Sequence, residues 1–413
     1  MHHSTEHSQP QVRFGVDRLV ADPACRASWR RVGLVTNDAA RSASNAAQRS
    51  RQALVGAGVP LVRLFGPEHG LGGTADDGAS VNDGVDPLTG LPVISLYGAR
   101  MRPASEQLRD LDALLFDIPD VGARFYTYAW TLWHALHACA EAHVPLIVLD
   151  RPNPLGGVPA SAEGPLLEPT CRSFIGEDDI PVRHALTLGE LARLWQREHC
   201  PGAIVEVVAC DGWDAALAWP ATRLPWIATS PAMPTFDSVM WYPGTCLFEA
   251  TNLSVARGTT APFTMLGAPW LRADAMVRVF REHGHMHADV RVDRCRFTPA
   301  VGPHAGIACE ALRLTLAGDK APAETVAQRL RPVALGMLLL RLVVDLHPRE
   351  FAWARYPTAA NPAGADHLAR LVGRREVEGW LESTPLHALT SAITTWTRAD
   401  GWADRIAPIR LYG

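Results

Sequence analysis

The fold is decided by residues 112–150, which read DALLFDIPDVGARFYTYAWTLWHALHACAEAHVPLIVLD. Two continuous apolar runs, 112–118 and 145–150, predict strands that are buried on both faces of a sheet. The segment 128–143 between them predicts a long helix. A strand, a helix and a strand at this spacing predict a parallel sheet with right-handed crossovers.

The segments on either side extend this pattern. Further strands are predicted at 31–37, 60–66 and 91–98, and a helix at 42–58. The second half changes character, because 230–245 is irregular and rich in proline and glycine. Beyond it we expect the following elements: a helix at 271–284, strands at 289–299 and 310–317, and helices from about Glu324 onward.

The pattern predicts an α/β protein of two domains. A Rossmann-like, parallel-sheet catalytic domain is expected over residues 12–228. A smaller α+β domain is expected over 229–413, completing an active-site cleft between the two. A chain of 413 residues is long enough for two cores.

Composition narrows the class of protein. Apolar residues make up 47% and charged residues 20%, which is typical of a globular enzyme. The net charge is −4 and there is no lysine or arginine block, so a nucleic-acid partner is not expected. No apolar run is long enough to span a membrane, and the first residues lack the apolar core of a secretory signal. We therefore expect a cytoplasmic protein without a membrane partner, or an exported one if its N-terminus has been trimmed.

The eight cysteines are scattered and form no C-x-x-C pair. This excludes a zinc ribbon or a thioredoxin-like site and favours free thiols. A capping box is expected at Thr187 and Glu190, which makes Glu190 structural.

Candidate site residues follow the predicted strands, because ligands of open parallel sheets bind at the carboxyl ends of the strands. They are Asn37, Glu68, His69, Asp117, Asp120, Asp150, Arg151 and Asn153. A single carboxylate at a strand end is usually a helix cap or a loop brace. Several at one edge of a sheet favour a functional site.

Glu68 is the strongest candidate. It lies in GPEHGLGG (66–73), where glycines allow close backbone approach and a neighbouring histidine suits general acid–base chemistry. The alternative is a salt-bridged loop residue. Gly70, Gly72 and Ala75 also match the dinucleotide-binding pattern G-x-G-x-x-A. That pattern should open a helix, but the residues that follow have low helix propensity, so a nucleotide-dependent enzyme is disfavoured.

Two further segments carry polar side chains in site-like settings. In 117–132, Arg124 could clamp a carboxylate and Tyr126 could contact a sugar, although Arg124 could instead pair with Asp120. In 248–263, a loop rich in small residues carries Glu249, Asn252 and Arg257.

These segments resemble the NamZ-type exo-β-N-acetylmuramidase family. The likeness rests on RVGLVTN, GPEHG, DPLTGLPVISLYG, FDIPDVGARFYTY, VLDRPNPLGG, SFIGEDDIPVRHALTLGELA, LPWIATSPAMPT and YPGTCLFEATNLSVARGTTAPF, in family order. The resemblance implies a Rossmann-like domain, a smaller second domain and a cleft. It also implies removal of terminal β-linked N-acetylmuramic acid without NAD or a metal. The family's catalytic glutamate corresponds to Glu68.

The sequence departs from the family's usual motifs at four positions. Pro119 replaces a glutamine, Ala232 an asparagine, Val255 a glutamate and Ala256 a glycine. These departures leave two alternatives open: a non-catalytic muropeptide-binding protein, or a glycosidase of shifted amino-sugar specificity.

We expect Glu68 to act as the general acid in a closed cleft that favours its protonated form. For the second carboxylate, Asp120 is preferred over Glu249 and Asp117. The lactyl carboxylate of muramic acid calls for an arginine, and Arg124, Arg151 and Arg257 are the candidates. The expected substrates are muropeptides or N-acetylmuramic acid–N-acetylglucosamine fragments, with no cofactor.

Overall fold

The computed structural model describes residues 11–75, 78–318, 327–359 and 361–413. It contains a seven-stranded sheet in which all neighbours but one pair are parallel, and a separate antiparallel sheet of three strands. The predicted mixed α/β class, with a parallel-dominated sheet first and a smaller antiparallel sheet after it, is confirmed.

The large sheet has the order β3-β4-β2-β1-β5-β6-β7, and the small sheet has the order β8-β10-β9. The strands are β1 Val32–Thr36, β2 Leu61–Gly66, β3 Gly84–Val85, β4 Pro92–Ser95, β5 Ala113–Asp117, β6 Leu146–Leu149, β7 Val205–Val208, β8 Met265–Ala268, β9 Val290–Phe297 and β10 Cys309–Leu316.

The α-helices of the described residues are numbered in chain order, and shorter turns of 3₁₀-helix join several of them. They are α1 Gly15–Ala21, α2 Ser50–Gly56, α3 Tyr128–Ala142, α4 Leu188–His199, α5 Phe236–Thr245, α6 Ala273–His283, α7 Pro332–Leu346, α8 His367–Val372, α9 Val377–Ser383, α10 Leu386–Trp396 and α11 Trp402–Ile406.

The central strands β1, β5 and β6 are buried along their whole length, as their continuous apolar sequences predict. Helices α3 and α4 belong to the core on one face of the sheet, and α1 and α2 belong to the core on the other face. Thr187 caps α4 in a capping box with Glu190, as predicted. The eight cysteines are free thiols, also as predicted.

The predicted helix over 42–58 is wrong in its first half, since helix begins only at Ser50. The Asp17 carboxylate accepts hydrogen bonds from the hydroxyl of Ser42 and the amide of Ala43. These bonds hold the preceding segment as a loop, because short polar side chains compete with helical backbone bonding.

Helix α5 lies in the segment that was predicted to be irregular. Thr235 caps its start by accepting from the Ser238 amide, and Pro243 lies inside its last turn. The proline misled the prediction, because tertiary packing here outweighs its poor helix propensity. The predicted helix start near Glu324 lies outside the described residues.

Helices α5 and α7 approach each other through two glycines. A Cβ at Gly244 would lie 1.8 Å from the carbonyl oxygen of Pro332, and one at Gly336 would lie 2.3 Å from the oxygen of Gly244. The two helices therefore meet backbone to backbone. Residues of both halves of the chain form one apolar core, and the domain boundary near residue 228 stays a prediction. No described helix is long and apolar enough to cross a membrane.

Three buried charged side chains of the first half bind backbone groups of the second half. Glu163 accepts from the amides of Val333 (3.1 Å) and Ala334 (2.7 Å) in the first turn of α7. Arg183 donates to the carbonyl of Leu330, just before that helix. Arg124 donates to the carbonyl of Leu371 in the last turn of α8. The Glu163 carboxyl group thus lies at a helix N-terminus and the Arg124 guanidinium at a helix C-terminus. The helix dipole favours a negative charge at the first position and a positive charge at the second.

The burial of the Glu163 carboxyl group predicts a pH-dependent stability. Burial raises the pKa of Glu163 to about 7, although the two amide donors oppose this shift. Since the folded-state pKa lies above the ordinary value, this group's contribution to stability is complete at low pH and is lost as pH rises to about 7. Chemical denaturation of the wild type and Glu163→Gln from pH 4 to 8 should show the wild type losing about 2–3 kcal/mol relative to the variant. A difference that does not change with pH would contradict this assignment.

Candidate active site

A cavity of about 800 Å³ opens beside the carboxyl edge of the large sheet. Its walls come from both halves of the chain. The first half contributes the loops after β2, β4 and β5 and the segment 173–175, and the second half contributes segments around 230–257 and 356–371. A sheet edge joined by loops of a second unit is the usual place for a ligand in this fold class.

Glu68 lies on the cavity wall directly after β2 and is only 5% exposed. Its Oε1 accepts a hydrogen bond from the amide of Gly78 at 2.9 Å, and its Oε2 accepts one from the hydroxyl of Thr127 at 2.6 Å. Both carboxylate oxygens are therefore held in place. A fixed orientation is what a general acid needs.

The next residue, His69, has a left-handed backbone with φ of 66°. Such a conformation is costly for a residue other than glycine, and strain of this kind concentrates at functional sites. The His69 Nδ1 lies 2.7 Å from the carbonyl oxygen of Ala75, so this nitrogen carries the proton. The ring lines the cavity beside Glu68.

Thr127 was not among the residues predicted from the sequence. It stands at the N-cap of α3 but makes no capping bond with its side chain, because its hydroxyl serves Glu68 instead. A cap-type residue before an apolar helix gives no sequence signal for this role.

Two buried tyrosines support the segment that faces Glu68. The hydroxyl of Tyr126 donates to the hydroxyl of Thr229 at 2.6 Å, and that of Tyr128 donates to the Thr229 carbonyl at 2.9 Å. Burial raises the pKa of both phenols, so both stay neutral. Of the two, Tyr126 lines the cavity.

Glu249 and Arg257, which lie in the polar loop that the sequence singled out, form an ion pair on the cavity wall. The Arg257 guanidinium also lies over the ring of Phe263. Both residues of the pair also line a wider outer cavity of about 1330 Å³. The ion pair therefore lies at the border between the inner and the outer cavity.

The remaining part of the cavity wall comes from residues 356–371, which were not predicted from the sequence to lie at the site. Tyr356 and His367 stack with ring centroids 4.6 Å apart and 11° between their planes. Arg370, on α8, also lines the inner cavity. Its Nε is buried and has no hydrogen-bond partner among the described residues. Proline- and glycine-rich sequence around these side chains was the available signal.

Five of the thirteen predicted site residues line the inner cavity. Asp150 does not, and its carboxylate accepts from the hydroxyls of Thr187 and Tyr412. Seven others do not line it either. Those that line it are Glu68, His69, Tyr126, Glu249 and Arg257. Those that the structure places elsewhere are Asn37, Asp117, Asp120, Arg124, Arg151, Asn153 and Asn252.

Most of these seven make structural contacts. Arg124 is fully buried and donates to the carbonyls of Pro165, Ile180 and Leu371, and burial lowers its pKa to about 9. The expected alternative of an Arg124–Asp120 pair is likewise not seen among these contacts.

The remaining polar residues of the strand ends also bind within the protein. Asp117 and Arg151 form a buried bidentate pair at 2.6 and 3.1 Å. Asn37 and Asn153 each accept from an amide two residues later in the chain, and Asn252 binds backbone groups of residues 350 and 352.

Asp120 lines a different pocket from Glu68. Its Oδ2 accepts from the amide of Gly122 at 2.8 Å and lies 3.7 Å from the Nε2 of His184. Its catalytic role stays a prediction, whereas Glu249 is the carboxylate that lines the same cavity as Glu68.

The four departures from the family motifs fall on or near the cavities. Ala232 lines both the inner and the outer cavity, and Val255 lines the outer one. Ala256 has φ of 61°, a conformation in which glycine is favoured. Pro119 lines the pocket of Asp120.

Among the described residues, one group of side chains has the spacing of metal ligands, namely Asp178, Glu198 and His199. The Arg405 guanidinium binds both carboxylates, and none of the three residues lines the cavity. The G-x-G-x-x-A letters at 70–75 lie in turns rather than at the start of a helix.

Family models cover nearly the whole chain. The model described as the N-terminal part of the exo-beta-N-acetylmuramidase NamZ matches residues 32–237, and the C-terminal part matches 240–412. The peptidoglycan beta-N-acetylmuramidase NamZ of Bacillus subtilis (strain 168) is 38% identical over 346 residues, which is 83% of this chain and 80% of that protein.

Two solved structures of DUF1343 family proteins from Bacteroides fragilis NCTC 9343 share the fold. One has a TM-score of 0.83 at 27% identity, with 98% of this chain and 99% of that chain covered. The other has a TM-score of 0.69 at 24% identity with the same coverage, and supports the fold alone. From the family models and the Bacillus relative together, the chain belongs to the NamZ exo-β-N-acetylmuramidase family.

Proposed function

We propose that this protein hydrolyses the bond that links a terminal N-acetylmuramic acid to the rest of a peptidoglycan-derived saccharide, with Glu68 as the general acid. Family membership makes it a glycosidase of the exo-β-N-acetylmuramidase type. The observation that carries the assignment of Glu68 is its fixed orientation on the wall of the inner cavity.

The inner cavity suits a sugar ring. Aromatic side chains on several sides can cover the apolar faces of a pyranose, while hydroxyl and carboxylate groups meet its polar edge. The aromatic residues that line it are Tyr97, Phe125, Tyr126, Phe174, Tyr242 and Tyr356.

The contacts described for Glu68 and Glu249 support a different role for each. Glu68 accepts from a neutral hydroxyl and an amide, whereas Glu249 is paired with the Arg257 cation. A neighbouring cation favours the ionised form of a carboxyl group. We therefore assign to Glu68 the protonation of the leaving oxygen. Glu249 would remain ionised, to activate water or to stabilise the oxocarbenium-like transition state.

The lactyl group gives muramic acid a carboxylate, and Arg370 is the cation we assign to it. Arg124 and Arg151 are bound within the protein, and Arg257 is paired with Glu249. Arg370 lines the inner cavity and has no carboxylate partner among the residues that the structure describes. A bidentate arginine–carboxylate contact would select the muramide over the matching glucosaminide.

The outer cavity gives room for the part of the saccharide that leaves. It shares His69, Glu249 and Arg257 with the inner cavity, so the scissile bond would lie near these residues. One sugar in the inner cavity and the remaining saccharide outside it would restrict cleavage to chain ends. Disaccharide and muropeptide fragments would both be accommodated in this way.

Replacing Glu68 by glutamine should remove the proton donor and leave the shape of the cavity intact. We expect kcat on a chromogenic β-N-acetylmuramide to fall at least about 100-fold, with an unchanged melting temperature. If neither the wild type nor Glu68→Gln releases product although both bind the muramide, the protein is a muropeptide-binding protein. Near-normal turnover by the variant would remove Glu68 from the mechanism.

Replacing Thr127 by the nearly isosteric valine should change the pH profile of the reaction. Loss of a donor to Oε2 favours the protonated form of a carboxyl group, so the alkaline limb of kcat/KM should move to higher pH. Thr131→Val is the matched control, because its hydroxyl binds the Thr127 carbonyl on the same helix and does not contact Glu68. Identical profiles for both variants would exclude Thr127 as a positioning residue.

Replacing Arg370 by methionine should weaken recognition of the lactyl carboxylate. We expect KM for the muramide to rise about ten- to hundredfold, since a charge-assisted hydrogen bond contributes about 1.5–3 kcal/mol. The preference over the glucosaminide should shrink by the same factor. Arg375→Met serves as the control, because that exposed side chain is paired with Asp366 and does not line the cavity. Unchanged selectivity in Arg370→Met would assign the carboxylate to another residue.

A further inference from the structure

A second pocket, of about 510 Å³, lies at the carboxyl edge of the sheet, and none of the described residues lines both this pocket and the inner cavity. The loops after β1, β5 and β6 enclose it. In the sheet order, β2 lies on one side of β1 and β5 lies on the other. The chain thus reverses direction across the sheet at this point, which is where open α/β sheets bind ligands.

The walls of this switch-point pocket are aromatic. Trp219 lies between Phe14, with ring centroids 6.2 Å apart, and Trp226, at 5.4 Å and 89° between their planes. All three rings line the pocket. Such walls suit the C–H face of a sugar ring, as they do in the inner cavity.

Asp120 supplies an acceptor in this pocket. Its side chain is only 8% exposed, and its Oδ1 has no hydrogen-bond partner among the described residues. A buried carboxylate oxygen without a donor is unfavourable. A ligand hydroxyl donating to Oδ1 would remove this cost.

Arg41 supplies the positive charge. It donates to the carbonyls of Asp38, Ala46 and Ala47, and forms no ion pair within the described part of the chain. The other arginine of the pocket, Arg151, is already neutralised by Asp117. The pocket therefore offers one guanidinium without a carboxylate and one carboxylate oxygen without a donor.

We propose that the switch-point pocket is a second sugar-binding site, which holds a single carboxylate-bearing monosaccharide. The aromatic walls cover the ring, Asp120 accepts from its hydroxyls, and Arg41 pairs with its carboxylate. The identity of this ligand rests on the proposed function, because the released product, N-acetylmuramic acid, is a sugar of this kind. The segment 227–230 links this site to the catalytic cavity, since Ile227 lines the former and Ser230 the latter.

The test is calorimetric titration of the wild-type protein with N-acetylmuramic acid and, separately, with N-acetylglucosamine, which lacks the lactyl carboxylate. We expect a binding event for N-acetylmuramic acid that weakens at least tenfold in Arg41→Met and in Trp226→Ala. N-acetylglucosamine should bind this site at least tenfold more weakly. Arg294→Met on the exposed side of β9 is the matched control and should bind as the wild type does.

Two variants with different contacts separate loss of binding from loss of fold, and their melting temperatures are measured alongside. Binding of N-acetylmuramic acid that is absent, or unchanged in both variants, would overturn the second site. Hydrolysis of the chromogenic muramide is assayed in parallel with the same proteins. Hydrolysis without variant-sensitive binding would overturn the second site alone. Variant-sensitive binding without hydrolysis would overturn the proposed function and leave the second site standing.

Discussion

The geometry of the cleft depends on one buried cation. The Arg124 guanidinium is enclosed by protein and donates to three backbone carbonyls, one of them at the end of α8. Helix α8 carries His367 and Arg370 on the cavity wall. A residue of the first half thereby fixes the position of side chains of the second half. Backbone carbonyls, rather than a carboxylate, stabilise the positive charge of Arg124. Loss of Arg124 would therefore leave these carbonyls in the core without hydrogen-bond donors.

Within the cleft so defined, the contacts of the two carboxyl groups support the roles proposed for Glu68 and Glu249. A hydroxyl and an amide hold Glu68, and a guanidinium holds Glu249. The first set of partners restricts orientation, and the second set favours a lasting negative charge. A pair of like groups can in this way divide the work of an acid and an anion.

The sequence allowed the sheet to be predicted, because its central strands are buried on both faces and their apolar runs are unambiguous. It also made Glu68 a candidate, since a carboxylate between glycines just after a strand is a local signal. Glu68 lines the inner cavity, and its catalytic role stays a prediction. Arg124 was misjudged because sequence cannot distinguish a cation that binds a ligand from one that binds carbonyls far along the chain. Thr127 and Arg370 were missed because their importance arises only from tertiary contacts.

The contact between α5 and α7 also limits how far one wall of the cavity can adapt. Gly244 and Gly336 bring two backbones together with no side chain between them, and α5 continues through Tyr242 toward the wall of the cavity. Because no side chains lie at this contact, side-chain movements cannot adjust it. Separating the two helices would leave buried peptide groups in an apolar core. The contact therefore keeps these two helices of the second half in a fixed relation, and it fixes the position of the Tyr242 side chain on the cavity wall.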